Sequence, residues 1–287
     1  MIRLRYSVSL AYNVLSQPAD FVFNIQAATT ACQRVISESL HINQAVAQHF
    51  HFDALHRNRL LRLRAETGRL TVNYQAEVEI GHHWDSPAHL IEMPIHALPT
   101  DVLPYLYPSR YCESDKIQAL ANREFGHIPP GYGRVDSIRS WVNQHLRFTS
   151  GSSNFSTSAM DTLSQRVGVC RDFAHLMIAI CRALNIPARF SSGLDYGADP
   201  ALGPTDFHAY VEVYLGHRWY LFDPSGTAVP MGFVRIGTGR DAADIAFATI
   251  FGSINASVPV LTIEAVVDPL RGLELPIHVS DALSTDH

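Results

Sequence analysis

The stretch VGVCRDFAHLMIAICRAL, Val167 to Leu184, decides the fold. Apolar residues recur at Phe173, Ala174, Met177, Ile180, Cys181 and Leu184, and Ile178 and Ala179 fill other faces, so the segment predicts a helix buried nearly all round. Gly168 allows a sharp entry, and Asn185 with Pro187 stops the helix about five turns later. Cys170 then falls in the first helical turn. Unpaired N–H groups and the positive end of the dipole gather there and favour a thiolate, the form of cysteine that attacks a carbonyl carbon. A cysteine in an apolar helix also has a plain explanation in packing, so a chemical role requires partners.

Candidate partners lie downstream. From Phe207 to Leu215 the pattern alternates strictly, with Phe207, Ala209, Val211, Val213 and Leu215 on one face and His208, Tyr210, Glu212 and Tyr214 on the other. Gly216 and His217 make a two-residue loop with glycine first, which predicts a type II′ hairpin returning through Arg218 to Asp223. The loop length fixes the register: Leu215 faces Arg218, Tyr210 faces Asp223 and His208 faces Ser225. His208 and Asp223 become diagonal neighbours on one face, within about 8 Å between backbones, and a one-residue slip would separate them. A thiol at a helix N-terminus, an imidazole able to take its proton and return it to a leaving amine, and a carboxylate to fix the imidazole tautomer are the parts of a thiol acyl-transfer triad. The candidates are Cys170, His208 and Asp223.

The segments GVCRDFAHLMIAICRALNIPARF and DFHAYVEVYLGHRWYLFDPSG resemble the transglutaminase-like superfamily, whose pattern is a Gly-x-Cys helix, a His-Ala-aromatic strand and an Asp-Pro after the next strand. The resemblance spans residues 111 to about 250, and GRDAADIAF, Gly239 to Phe247, looks like the bacterial members, which also carry a β-rich N-terminal region. It implies Cys170 as nucleophile, His208 as general base and acid, Asp223 as the residue orienting His208, and a papain-like α+β core whose cysteine helix packs on an antiparallel sheet. Tyr210 stands where many relatives carry Trp. The sequence does not identify the second oxyanion donor: Gln165, five residues before the cysteine, could serve beside the Cys170 N–H, and a solvated loop glutamine is the other reading. Asp172, in the first helical turn, favours the dipole.

Around this core, 287 residues with 47% hydrophobic content are enough for two domains. Period-two alternation from Ile2 to Val14 and from Leu70 to Ile80, with shorter strand candidates at Val35 to Ile42 and Leu60 to Leu63, predicts an all-β sandwich-like N-terminal domain over residues 1–100. Pro94, Pro99, Pro104 and Pro108 mark a linker over 94–110. Helices are expected from Glu113 to Phe125 and along the stripe Val135, Ile138, Trp141, Val142 and Leu146, then a polar loop from Gly151 to Ser158. After Pro187 come a strand from Ala188 to Leu194 and a Gly- and Pro-rich loop from Gly197 to Pro204. The catalytic core is expected over 111–255, followed by a C-terminal strand and tail over 256–287. The strand from Val258 to Val267 could join either domain.

A formal charge of −5 gives no footprint for nucleic acid or an anionic membrane surface. No segment approaches the roughly 20 apolar residues that span a bilayer. MIRLR resembles a charged signal-peptide start, but Ser7, Ser9 and Asn13 interrupt the apolar run that follows. Cysteines 32, 112, 170 and 181 show no CxxC and no even framework, which points to a reducing cytoplasm. His49 and His51 could share a face, while adjacent His82 and His83 on a strand would point to opposite faces; without cysteines or paired carboxylates at matching spacing, no metal and no other cofactor is expected. Gly237-Thr-Gly239-Arg-Asp-Ala242 fits the dinucleotide fingerprint but lacks its βαβ setting.

The expected function is therefore cysteine-dependent acyl transfer on a peptide or protein amide substrate, with water as the acceptor and hydrolysis as the outcome. Amine transfer onto protein glutamine, and a catalytically silent peptide-binding module using the same groove, are the alternatives. Oligomeric state has no sequence signal here.

Overall fold

Alternation in the first hundred residues is realised as paired strands. The computed structural model describes residues 1–198 and 205–286, so residues 199–204 of the expected loop from Gly197 to Pro204 lie outside the described residues. Strand β1 (Ile2–Val14) turns every second side chain inward, burying Ile2, Leu4, Tyr6, Val8, Leu10, Tyr12 and Val14. It is followed by β2 (Ala19–Phe23), β3 (Gln33–Ile42), β4 (Gln48–Phe52), β5 (Arg59–Ala65) and β6 (Gly68–Ile80). β1 and β6 pair antiparallel along their whole length, from Ile2 opposite Ile80 to Val14 opposite Gly68, and β3 flanks β6. β2, β5 and β4 build the second sheet, whose inward Phe21, Phe23, Leu61 and Leu63 share one core with β1 and β6. This is the expected antiparallel sandwich. Two strands, β2 and β4, were not expected; β4 is exposed at every position and so carries no alternating apolar signal.

The segment over 94–110, expected as a linker, is packed. After β7 (His83–Asp85), single-turn 3-10 helices form at Ile95–Ala97 and Leu103–Leu106, and Leu98, Val102 and Tyr105 make a small core with Tyr214 and Trp219. Proline prevents a regular helix there without preventing burial.

Next come α1 (Ser114–Phe125), α2 (Tyr132–His145), β8 (Arg147–Phe148), α3 (Ala159–Gln165), β9 (Val167–Gly168) and α4 (Cys170–Ala183). Every residue of α4 from Asp172 to Ala183 is buried. Helices α1, α2 and α3 wrap it, and it rests on an antiparallel sheet of order β12-β11-β10-β13, built from β10 (Ala188–Asp195), β11 (His208–Leu215), β12 (Arg218–Phe222) and β13 (Phe233–Gly239). Ala209, Val211 and Val213 share the core of α4, whereas Tyr210, Leu221 and Phe233 join the core of the sandwich. The α+β core is thus the expected one, with its sheet covered on both faces. No helix among the described residues is long and apolar enough to cross a membrane.

The hairpin keeps its expected register, from Leu215 opposite Arg218 to Val211 opposite Phe222. Its turn is type I′ rather than II′, because both Gly216 (φ +52°) and His217 (φ +70°) are left-handed. Both turn types have two residues, so the register is the same.

Beyond Gly239 the chain returns to the sandwich. β14 (Ala248–Phe251) pairs with β2, while β15 (Ile254–Ala256) and β16 (Val260–Ala265) line the free edge of β1. The change of sheet therefore falls upstream of residue 255, where the core was expected to end, and the strand expected from Val258 to Val267 belongs to the sandwich. The edge of β1 offers complementary partners for it: Ser7 bonds Thr262 and Arg5 pairs with Glu264. β17 (Ala282–Ser284) closes on β7.

Because Gly216 sits at left-handed φ, Gly216→Ala should cost about 1 kcal/mol of stability, read as a lower urea midpoint with an unchanged m-value.

Candidate active site

The N-terminus of α4 is shaped by a carboxylate folded back on it. Val169 leaves β9 extended, and Asp172 accepts its N–H at 2.9 Å. Asp172 also accepts the Ser153 hydroxyl at 3.0 Å and the Arg171 guanidinium at 3.0 Å, and is fully buried. Beyond favouring the dipole, as expected, it clasps the strand-to-helix corner and the loop before α3. Gly168 makes the clasp possible, since a Cβ there would lie 2.8 Å from the Asp172 Cβ. The first N–H groups of α4 have no partner inside the helix, and Cys170 stands among them. Its Sγ lies half-buried, 3.8 Å from the Phe207 carbonyl oxygen, and the Phe207 ring is stacked on Phe247 at 4.6 Å.

His208 opens β11 opposite Gly193 of β10. Its Nε2 lies 3.6 Å from Asp223 Oδ1, an ion-pair contact slightly longer than a hydrogen bond. Asp223, the first residue beyond β12, is held in a nest of donors: the Ser225 N–H and hydroxyl at 2.9 and 2.6 Å, and the N–H groups of Thr227 and Ala228 at 3.0 and 3.3 Å. Burial pushes its pKa up, but contacts with His208, Ser225 and Ala228 outweigh burial and hold it below the ordinary value. Burial opposes a charge on His208, yet the Asp195 and Cys170 charges, with contacts to Asp223 and Cys170, raise its pKa well above the histidine norm.

The structure thus brings Cys170, His208 and Asp223 together. Gln165 is the exposed last residue of α3 and, among the described residues, makes no hydrogen bond to the other three. Two further residues adjoin His208, of which the sequence singles out only Tyr210. Asp195, ending β10, places Oδ2 3.4 Å from His208 Nδ1. Tyr210, fully buried, sets its ring edge-on to His208 at 5.1 Å and 4.3 Å from Phe233. Tyr210 is visible in the sequence as a same-face neighbour of His208, but no local signal points to Asp195.

Two family models match this arrangement of domains. One, described as the transglutaminase-like superfamily, covers residues 118–224; the other, described as the bacterial transglutaminase N-terminal domain, covers residues 2–101. A crystal structure described as a "putative cysteine protease" from Cytophaga hutchinsonii is 36% identical, with a TM-score of 0.91 over 99% of this chain and 97% of that one. The chain belongs to the transglutaminase-like superfamily. Uncharacterized proteins of Mycobacterium leprae and Mycobacterium bovis are each 31% identical, over 49% and 55% of this chain and 52% and 54% of their own lengths. The chain spans about half the length of these curated relatives.

Within this superfamily fold the GRDAADIAF segment is a buttress. Asp241 accepts the Tyr111 N–H at 2.9 Å, the Ala242 N–H donates to His175 Nε2 at 3.2 Å, and Ile245 joins the core of α4. His175 stacks on Tyr111 at 5.0 Å, and burial holds its pKa well below the ordinary value. The glycines of the dinucleotide-like fingerprint lie on β13, antiparallel to β10, so the phosphate-binding βα turn is not formed. His49 and His51 sit on exposed β4, and no group of three potential metal-ligating side chains occurs among the described residues.

Gly168→Ala should displace Asp172 and loosen the corner that presents the thiol. We expect alkylation of Cys170 by iodoacetamide near neutral pH to slow at least about tenfold, followed by mass spectrometry of the labelled peptide.

Proposed function

We propose that this protein catalyses cysteine-dependent acyl transfer on peptide or protein amides, with Cys170 as nucleophile, His208 as base and acid, and Asp223 as the orienting carboxylate. One observation carries the reading: a cysteine at the N-terminus of a buried helix adjoins an imidazole whose Nε2 is 3.6 Å from a carboxylate that four donors hold in place. His208 takes the Cys170 proton, and the thiolate adds to the amide carbon. The Cys170 N–H stabilises the developing oxyanion. His208 then protonates the leaving amine, and a thioester remains. Water, losing a proton to His208, attacks the thioester and releases the acid and the thiol. Gln165 is the proposed second oxyanion donor, and Gln165→Ala should lower kcat by about a hundredfold.

Water is the proposed acceptor. An amine competes with roughly 55 M water, so cross-linking requires a site that seats a lysine chain and excludes water. The four free cysteines support a reducing, cytoplasmic setting.

Cys170→Ser should keep the fold and lose nearly all turnover, since serine offers no accessible thiolate. His208→Ala should be nearly as damaging, and its effect should not multiply with that of Asp223→Asn, because the two act as a unit. Turnover by Cys170→Ser within tenfold of wild type would remove the nucleophile from this reading. The acceptor is tested with a glutamine-containing protein and a fluorescent primary amine, following ammonia, new amino termini and label together. Hydrolysis should exceed label incorporation at millimolar amine; the reverse would make the enzyme an amine transferase.

A further inference from the structure

Two carboxylates bracket the imidazole of His208. Asp223 meets Nε2 at 3.6 Å and Asp195 meets Nδ1 at 3.4 Å. Their surroundings differ sharply. Asp223 accepts four hydrogen bonds, whereas Asp195 is 3% exposed and neither of its oxygens has a hydrogen-bond partner among the described residues. The Tyr210 hydroxyl is buried and unpartnered among them too. Nor does any lysine or arginine pair with Asp195 among the described residues, so His208 is its counter-charge there. Burying a carboxylate without donors destabilises a fold, and such groups persist where chemistry retains them.

We propose that Asp195 is a positioning residue for the acyl-transfer chemistry: it holds the charged imidazole of His208 from the Nδ1 side and sets the upper pH at which thiolate and imidazolium coexist. This rests on the reading of Cys170 and His208 as the reacting pair. Asp223 holds the ring at Nε2 and Asp195 holds it at Nδ1, so the charge of Asp195 acts on the imidazolium from the opposite side. Three titratable groups face it: His208 and Tyr210 from β11, and Asp223 from the segment after β12. From β13 its register partner is Phe233, which carries no charge. At 3.4 Å the attraction to the imidazolium exceeds the repulsion by the Asp223 carboxylate across the ring.

The signs follow. Burial first, and Asp223 second, push the Asp195 carboxyl up to about 7 against the pull of His208. A carboxyl raised on folding weakens the native state as pH climbs from the ordinary carboxylate range through its folded pKa. His208 is raised by Asp195, so the stability it contributes is present below the unfolded histidine pKa and is lost as pH rises through the folded one. Replacing Asp195 by asparagine removes the first loss and brings the second to lower pH.

The test is an NMR titration of the His208 Cε1–H resonance, assigned by its absence in His208→Gln, in wild type and Asp195→Asn. Iodoacetamide alkylation of Cys170 is followed over the same pH range. In Asp195→Asn the His208 midpoint should fall by about one pH unit or more, and the alkaline inflection of the alkylation profile should fall with it. Asp195→Glu should recover part of the shift. Thermal stability near neutral pH should be unchanged or higher in Asp195→Asn, because an unpartnered buried carboxylate is gone. A His208 midpoint within a few tenths of wild type in folded Asp195→Asn would overturn the proposal. Failure of both Asp195→Asn and Asp195→Ser to fold would also overturn it, by making the residue structural. If wild-type Cys170 labels no faster than Cys32, the acyl-transfer reading fails on its own, independently of the NMR result.

Discussion

A helix with no solvent face has few places to go, and the burial of α4 constrains everything around it. Each fully buried large side chain contributes about 1.5–3 kcal/mol relative to exposure, so Phe173, Leu176, Met177, Ile178 and Ile180 must all find neighbours at once. α1, α2 and α3 cover one side, and the Ala209, Val211 and Val213 row of β11 covers the other. That row begins one residue after His208. Once α4 is seated against β11, its N-terminal cysteine and the first residue of the strand come to the same end of the sheet.

The candidate site therefore sits at a seam between two cores. α4 packs against one face of β11, and the sandwich packs against the other through Tyr210. Below the imidazole the interior is apolar and tight, with Tyr210 and Phe233 4.3 Å apart. Charges placed there are weakly screened, so contacts of 3.4 and 3.6 Å to two carboxylates matter for His208 far more than they would on a surface. The clasp by Asp172 acts at the same end, tying the loop of Ser153 to the helix that carries the thiol.

Legibility in the sequence follows the range of each interaction. α4 and the long strands β1 and β6 are legible because burial prints its own period on them. The His208 to Asp223 relation is legible because a two-residue loop fixes the pairing, whatever the turn type. The choice between I′ and II′ is not legible, since it depends on whether His217 accepts a left-handed backbone. Asp195 stays hidden for a related reason: β10 and β11 are joined by a long connection, so nothing local shows that Gly193 faces His208. The seven residues of α3 are too few to establish a helical period. β14 to β16 are short, and their membership of the sandwich is decided by the open edges of β1 and β2, far away in sequence.

That late return of the chain bears on how the molecule is made. β1 leaves a ribosome long before Ile254 to Ala265, the segment that covers one of its edges. Until those residues emerge, a thirteen-residue strand carries an open row of N–H and C=O groups, flanked by an apolar face. The cysteine helix and its sheet are translated in that interval, and the sandwich is sealed only after them. Vectorial synthesis leaves the first domain unfinished until the second has formed, so an interrupted chain exposes a pairing edge that a neighbouring nascent chain can occupy.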